Sequence, residues 1–217
     1  GLDLHAERIG CDTFQIFSAN PRGWKAATPS PEACREFCRA REEAGLGPLV
    51  IHDNYLINPA AADREIREKS IRAFRGEIER ALSLRADYLV LHPGSAKGGT
   101  VGGALRNCAG SIKKAAEGLN LDGLTLLVEN TAGQGSSIGR SFEEVAEILS
   151  FAEGLPVGVC LDTAHMFAAG YAIHTPDGLN KTLRQMKSTF GKRSTNCRTF
   201  MPKGDVGFPQ TQFTSTI

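Results

Sequence analysis

The sequence predicts an α/β protein of the TIM (β/α)8 type, of which about five βα units are recognisable. Three observations predict it. Apolar runs of strand length alternate with polar loops and stretches of helical periodicity, the pattern of successive βα units. The runs are apolar on both faces, as strands of a parallel sheet covered by helices must be. Four of them end in His52, His92, Glu129 and Asp162, each immediately before a polar turn.

Strands are expected at about 13–17, 49–52, 88–92, 124–129 and 157–162, and helices at about 31–44, 63–86, 103–118, 141–152 and 178–188. Ser30-Pro31 reads as a helix start because proline tolerates the first helical position, and Ser141 followed by Glu144 reads as a capping pair. In a parallel barrel the carboxyl ends of the strands converge on one mouth, so the four strand-end residues share a rim. An open doubly wound sheet also aligns strand ends, but it holds its outer strands too far apart for four groups to meet. The barrel is therefore preferred.

Residues 1–10 read as a helix without its preceding strand, and from about Lys192 the apolar periodicity fails, with neither a convincing strand nor a helix to 217. The expected organisation is a partial barrel over 1–191 followed by a divergent tail over 192–217. A barrel lacking strands leaves edges and apolar surface uncovered, so poor stability is expected of the chain alone.

The bulk numbers agree with one soluble domain: 217 residues, 41% hydrophobic and 23% charged. No apolar run approaches the roughly 18 residues that span a bilayer, and no secretion signal is evident at the start. A cytoplasmic monomer with no membrane partner is the expectation. A formal net charge of +1 offers little long-range attraction to a polyanion, so any such partner must meet a local basic patch. Cys11, Cys34, Cys38, Cys108, Cys160 and Cys197 lack zinc-finger spacing and are read as reduced, mostly buried thiols. No Walker-type loop or GxGxxG follows a strand, which argues against nucleotide chemistry.

Neutral imidazole and carboxylate are the ligands that zinc-like ions accept, and a bridging carboxylate holds two ions close enough to act on one phosphate. His52, His92, Glu129, Asp162 and His165 form such a set. Asp162 and His165 stand three apart where a strand turns into a helix, and can face one mouth while binding different ions. Any one of these groups could equally be a buried structural residue; five at successive strand ends favour the metal reading. His5 and His174 end no apolar run and are assigned to the surface. Two rim loops stand out. One, over 17–24, carries Asn20, Arg22 and the only tryptophan, Trp24; the other follows His52 with Tyr55 and Leu56. Their side chains suit wedging into a base stack and meeting phosphate, and suit equally well packing the loops onto the barrel.

The strings His52-Asp-Asn-Tyr55-Leu-Ile-Asn58, Leu91-His92-Pro-Gly94, Glu129-Asn-Thr-Ala-Gly-Gln-Gly135 and Leu161-Asp162-Thr-Ala-His165 resemble the signature segments of the endonuclease IV family of apurinic/apyrimidinic endonucleases. The resemblance runs from about Gly1 to Gly191. It implies a TIM barrel that binds three zinc ions and double-stranded DNA with abasic sites. The implied reaction is hydrolysis of the phosphodiester on the 5′ side of the lesion, with removal of 3′ blocking groups as a further activity. It also implies roles: His52 and His92 on a first zinc, Glu129 bridging to a second and serving catalysis, Asp162 on the second, and His165 on the third. Arg22, Tyr55 and Leu56 match positions that enter the minor groove and help expel the abasic nucleotide, which has no base to unstack.

The resemblance then breaks. The family's later ligands, in His-x-Asn-Asp and Asp-Arg-His-x-His strings and a final glutamate, are absent after His174. The second and third zinc sites are expected to be incomplete and hydrolysis impaired. Lys203-Gly-Asp-Val-Gly207 resembles the stretch just after the missing His-x-Asn-Asp string, whereas 195–202 does not, as an interrupted reading frame would produce. Two other classes remain in view: a metal-dependent sugar isomerase or epimerase on the same barrel, and a fragment that binds DNA without cleaving it.

Overall fold

A computed structural model describes Ala6, Arg8 and residues 10–191, together with the backbone of 197–200. Its framework is one parallel sheet in simple sequential order, β1-β2-β3-β4-β5-β6. The strands are β1 (Phe14–Phe17), β2 (Leu49–His52), β3 (Tyr88–Leu91), β4 (Thr125–Glu129), β5 (Val157–Asp162) and β6 (Cys197–Phe200). Helices α1 (Pro31–Glu43), α2 (Arg64–Ser83), α3 (Val101–Ala116) and α4 (Phe142–Phe151) fill the successive crossovers. A short α5 (Thr163–Ala168) and then α6 (Pro176–Phe190) lie between β5 and β6.

The helix starts are fixed by local chemistry. Ser30 Oγ accepts the Ala33 N–H at 3.1 Å with Pro31 opening α1, and Ser141 Oγ accepts the Glu144 N–H at 3.2 Å. Each hydroxyl satisfies an N–H that the first turn leaves without a partner. Glu144 departs from the reciprocal capping pair: its carboxylate accepts from the Gly139 and Arg140 N–H groups, at 2.7 and 3.0 Å, and so ties the preceding loop to the helix.

Side-chain alternation divides the strands between two environments. Leu49, Ile51, Leu89, Leu91, Leu126, Val128, Val159 and Leu161 belong to the main core beneath the helices. Val50, Val90, Leu127 and Cys160 form a separate small cluster on the opposite, inner face. Successive side chains of a strand point to opposite faces, so the residue two beyond each inner one is also inward. Those residues are His52, His92, Glu129 and Asp162. The register also climbs: His52 stands opposite Val90, Val90 opposite Leu127, and Glu129 opposite Cys160. Such stagger accompanies the strand tilt of a barrel wall.

The five expected strands and five expected helices are present, with ends shifted by a few residues. His92 lies one residue past β3 rather than within it. One expectation is corrected: the tail read as lacking a strand contains β6, paired parallel to β5 with Asp162 opposite Phe200. Four residues carry no periodicity of their own; the open edge of β5 supplies the pairing. The expected helix over 1–10 falls largely outside the described residues, as does 201–217 with the Lys203 to Gly207 string. Cys34, Cys38, Cys108 and Cys160 are buried, outside any disulfide, and Cys11 is partly buried, as expected; the side chain of Cys197 lies outside the described residues. Among the described residues, no helix is long and apolar enough to cross a membrane.

Candidate metal centre

At the mouth of the inner face, three imidazoles converge on one carboxylate. Glu129 Oε2 lies 3.2 Å from His52 Nε2 and 3.4 Å from His92 Nε2, and Glu129 Oε1 lies 3.1 Å from His165 Nδ1. The rings of His52 and His92 are 5.1 Å apart, and those of His92 and His165 5.6 Å. Two triads follow, His52–His92–Glu129 and Glu129–Asp162–His165, and within each the donor atoms lie within 4.8 Å of one another. Nitrogen and carboxylate oxygen in threes at this spacing, with Glu129 common to both, fit divalent ions of the zinc type. All five residues expected at the mouth are therefore brought together there.

The electrostatics belong to a site built around positive charge. Burial opposes a charge on His52, but the hydrogen bond to Glu129 and the nearby carboxyls outweigh it and raise its pKa to about 9. Burial likewise works against the Glu129 carboxylate, yet the hydrogen bonds from His165 and His52 and the charge of His92 hold it down to about 2. His92 is lowered, chiefly by burial. His165 is raised by its bond to Glu129, and Asp162 is raised by burial.

These shifts fix a pH dependence for the metal-free protein. A histidine raised from 6.5 to about 9 adds stability that is complete below 6.5 and lost as pH rises through about 9. Its partner Glu129, lowered from 4.5 to about 2, adds stability that is complete above 4.5 and lost as pH falls through about 2. The denaturant midpoint of metal-free protein is thus expected to fall between pH 6.5 and 9, and a flat profile there would contradict the pairing.

Three of the five are oriented by a neighbour. His52 Nδ1 donates to the Asp53 carbonyl at 2.9 Å, which turns Nε2 to Glu129. Asp162 Oδ1 caps α5 by accepting the His165 N–H at 2.8 Å, so one carboxyl both starts the helix and faces the mouth. Asn130 is fully buried; its Oδ1 accepts the Asp162 N–H at 2.7 Å and its Nδ2 donates to the Asp162 carbonyl at 3.3 Å. The Asn130 carbonyl accepts His165 Nδ1 at 2.9 Å. His165 keeps that bond if it binds an ion through Nε2, and must give it up to bind through Nδ1. Sequence reasoning passed over Asn130; its position directly after the Glu129 strand end was the available signal.

The rim loops stand where expected. Asn54, also passed over, joins them: its Nδ2 donates to the carbonyls of Asn20, at 3.1 Å, and Gly23, and its Oδ1 accepts the Leu56 N–H at 2.7 Å. Tyr55 packs its ring against Phe17 and His52 at 5.4 and 5.5 Å yet stays 55% exposed, so part of the ring faces outward. Leu56 is exposed, as is Arg22, and Lys69 sits 4.1 Å over the Trp24 ring. Gly94, with φ of +91°, lets the loop after β3 abut Asn58: a Cβ there would lie 2.2 Å from Asn58 Oδ1, the atom that accepts the Ser95 N–H. His174 is exposed, as expected, and His5 lies outside the described residues.

Comparison with known proteins agrees with this geometry. The family described as "Xylose isomerase-like TIM barrel" matches residues 4–196. "Probable endonuclease 4" of Solibacter usitatus is 48% identical over 191 residues, covering 87% of this chain and 66% of that protein. "Probable endonuclease 4" of Chloroflexus aurantiacus is 42% identical over 195 residues, covering 88% and 67% respectively. The crystal structure of endonuclease IV from Thermus thermophilus superposes with a TM-score of 0.78 at 34% identity, covering 94% of this chain and 72% of that one. A D-psicose 3-epimerase is also similar, with a TM-score of 0.68 at 12% identity, which speaks for the fold alone. The chain spans about two thirds of the length of these curated relatives. With the strand-end imidazoles and carboxylates gathered on Glu129, and with these relatives, the chain belongs to the endonuclease IV family of TIM-barrel proteins.

Proposed function

We propose that the chain carries the first half of a zinc-dependent DNA-repair site that hydrolyses the phosphodiester 5′ to an abasic site. The observation that carries the reading is the convergence of His52, His92 and His165 on the two oxygens of Glu129 at the barrel mouth. A divalent ion held by these residues would supply Lewis acidity to a phosphodiester and a nucleophile at neutral pH. The chain's own residues do the rest. His52 and His92 present Nε2 to one oxygen of Glu129, Asp162 and His165 stand at the other, and the Asp53 and Asn130 carbonyls hold two of the rings in place. Arg22 is placed to meet phosphate, while Tyr55 and Leu56 offer exposed apolar surface to the gap left by a missing base. Double-stranded DNA with an abasic site is the proposed partner and zinc the proposed ion.

We further propose that hydrolysis is impaired in this chain. After His174 the sequence holds no histidine and only Asp177 and Asp205 as acids, so sites that need later ligands stay under-coordinated. A third ion at His165 would have this one side chain among the proposed ligands. A cytoplasmic monomer accords with the composition and completes the proposal.

A duplex with one abasic site tests the reading. Chelator-sensitive nicking that leaves a 3′-hydroxyl is expected, at a low rate. Sugar epimerisation without nicking would transfer the chain to the epimerase class, and tight abasic-duplex binding without any nicking would leave it a binding fragment. Replacing Tyr55 and Leu56 together by alanine is expected to weaken abasic-duplex binding by about 1–3 kcal/mol, roughly 5- to 150-fold, with metal content unchanged. Equal affinity would assign the two side chains to loop packing.

A further inference from the structure

Directly behind His52 lies a carboxyl group that the reaction does not use. Asp53 is 1% exposed, and its Oδ1 has no hydrogen-bond partner. Leaving a carboxyl oxygen buried and unpaired is costly, and a folded protein retains one only where something compensates it. In the buried network that includes Glu77, Arg80 is engaged elsewhere: it pairs with Glu77 at 2.9 Å and donates to Ser18 Oγ at 2.9 Å. His52 Nδ1 stands 3.6 Å from Asp53 Oδ1 and 2.9 Å from the Asp53 carbonyl. Asp53 reaches the neighbouring strand as well. Its N–H donates to the Val90 carbonyl at 2.9 Å, and the His92 backbone N–H is directed at its carboxyl group.

We infer that Asp53 is a positioning residue for the metal centre, holding His52 with its proton on Nδ1 and Nε2 free for the ion while fixing the His92 strand end beside it. The inference rests on the metal reading above and adds to it a residue that touches neither ion nor substrate. A carboxyl behind an imidazole makes the ring a stronger ligand and sets its orientation. When an ion draws charge through the ring, Asp53 Oδ1, 3.6 Å from Nδ1, is already in place to face it. One residue thereby joins two ligands on adjacent strands, through its main chain and its side chain.

The test is titration of the full chain with Co2+, read by the visible absorption of the bound ion. Asp53→Asn keeps the shape and replaces the carboxyl by an amide. It is expected to lower cobalt affinity at the His52–His92–Glu129 set by about 10- to 100-fold. Thermal stability of the metal-free variant is expected to equal or exceed that of the parent, because Asp53 Oδ1 makes no hydrogen bond that the amide would lose. Glu77→Gln, in the same buried network but not against His52, is expected to bind cobalt as the parent does. Parental affinity in Asp53→Asn would overturn the inference, and so would an equal loss in Glu77→Gln. If Asp53→Asn does not fold, Asp53→Ser takes its place under the same two outcomes. If the parent binds no cobalt, the metal reading fails, and the imidazole nitrogen resonances of metal-free protein decide about Asp53 alone. The His52 Nδ1–H resonance is then expected to shift in the variant even though its bond to the Asp53 main-chain carbonyl is retained; identical spectra overturn the inference.

Discussion

Glu129→Gln is expected to empty both triads at once. One carboxylate faces three imidazoles, with Oε2 serving His52 and His92 and Oε1 serving His165, so no other single substitution touches as many proposed ligands. The amide keeps the shape but loses the charge that offsets bound cations, and its nitrogen cannot coordinate as a carboxylate oxygen does. Metal content of the purified chain is expected to fall to background. Nicking of an abasic duplex is expected to fall about a thousandfold, which corresponds to roughly 4 kcal/mol of transition-state stabilisation. In metal-free protein the same change removes the main partner of His52, so the pKa of that ring falls and the pH dependence of stability between 6.5 and 9 weakens. Metal content equal to that of the parent would detach Glu129 from both sets.

Phe142→Ala is expected to bring the largest loss of stability. The ring is fully buried, stacked on Tyr171 at 4.5 Å between centroids and packed against Phe190 at 5.7 Å. It anchors the start of α4, and its N–H donates to the Tyr171 hydroxyl at 3.2 Å. Removing it leaves a cavity bounded by two helices and the segment after α5, at a cost of about 3–5 kcal/mol. Domains of this kind have about 5–15 kcal/mol in total, so a large part of the margin is lost. The denaturant midpoint reports it, with the slope unchanged if both end states keep their compactness. Because Tyr171 closes the short connection from α5, the Glu129–Asp162–His165 triad is expected to weaken before the His52–His92–Glu129 triad does. A change below about 1 kcal/mol would show that the neighbours close over the site.

The cluster at the barrel mouth was legible from the sequence because its cause is local. A strand that ends in a chemically distinct residue shows as an apolar run followed by histidine or acid, and His52, His92, Glu129 and Asp162 all follow that rule. His165 was legible through its spacing from Asp162, and the structure adds that the Asp162 carboxyl caps the helix carrying it. Asp53, Asn54 and Asn130 were not singled out, because their work is done across the chain: Asn54 joins two rim loops and Asn130 grips the next strand. Strand β6 was missed for the same reason, since its pairing comes from β5 and not from its own four residues.

By itself, then, the sequence determined the alternation of strands and helices, the helix starts at Ser30 and Ser141, the residues that end each strand, and through its motifs the family. Periodicity and capping act over a few residues and leave their mark in composition. Only the tertiary structure decided which oxygen of Glu129 faces which imidazole, that Tyr55 lies against His52 while still exposed, and that a buried carboxyl stands behind His52. Those contacts join residues on different strands, and their distances depend on how far each strand is staggered against the next, a quantity no single stretch of sequence contains.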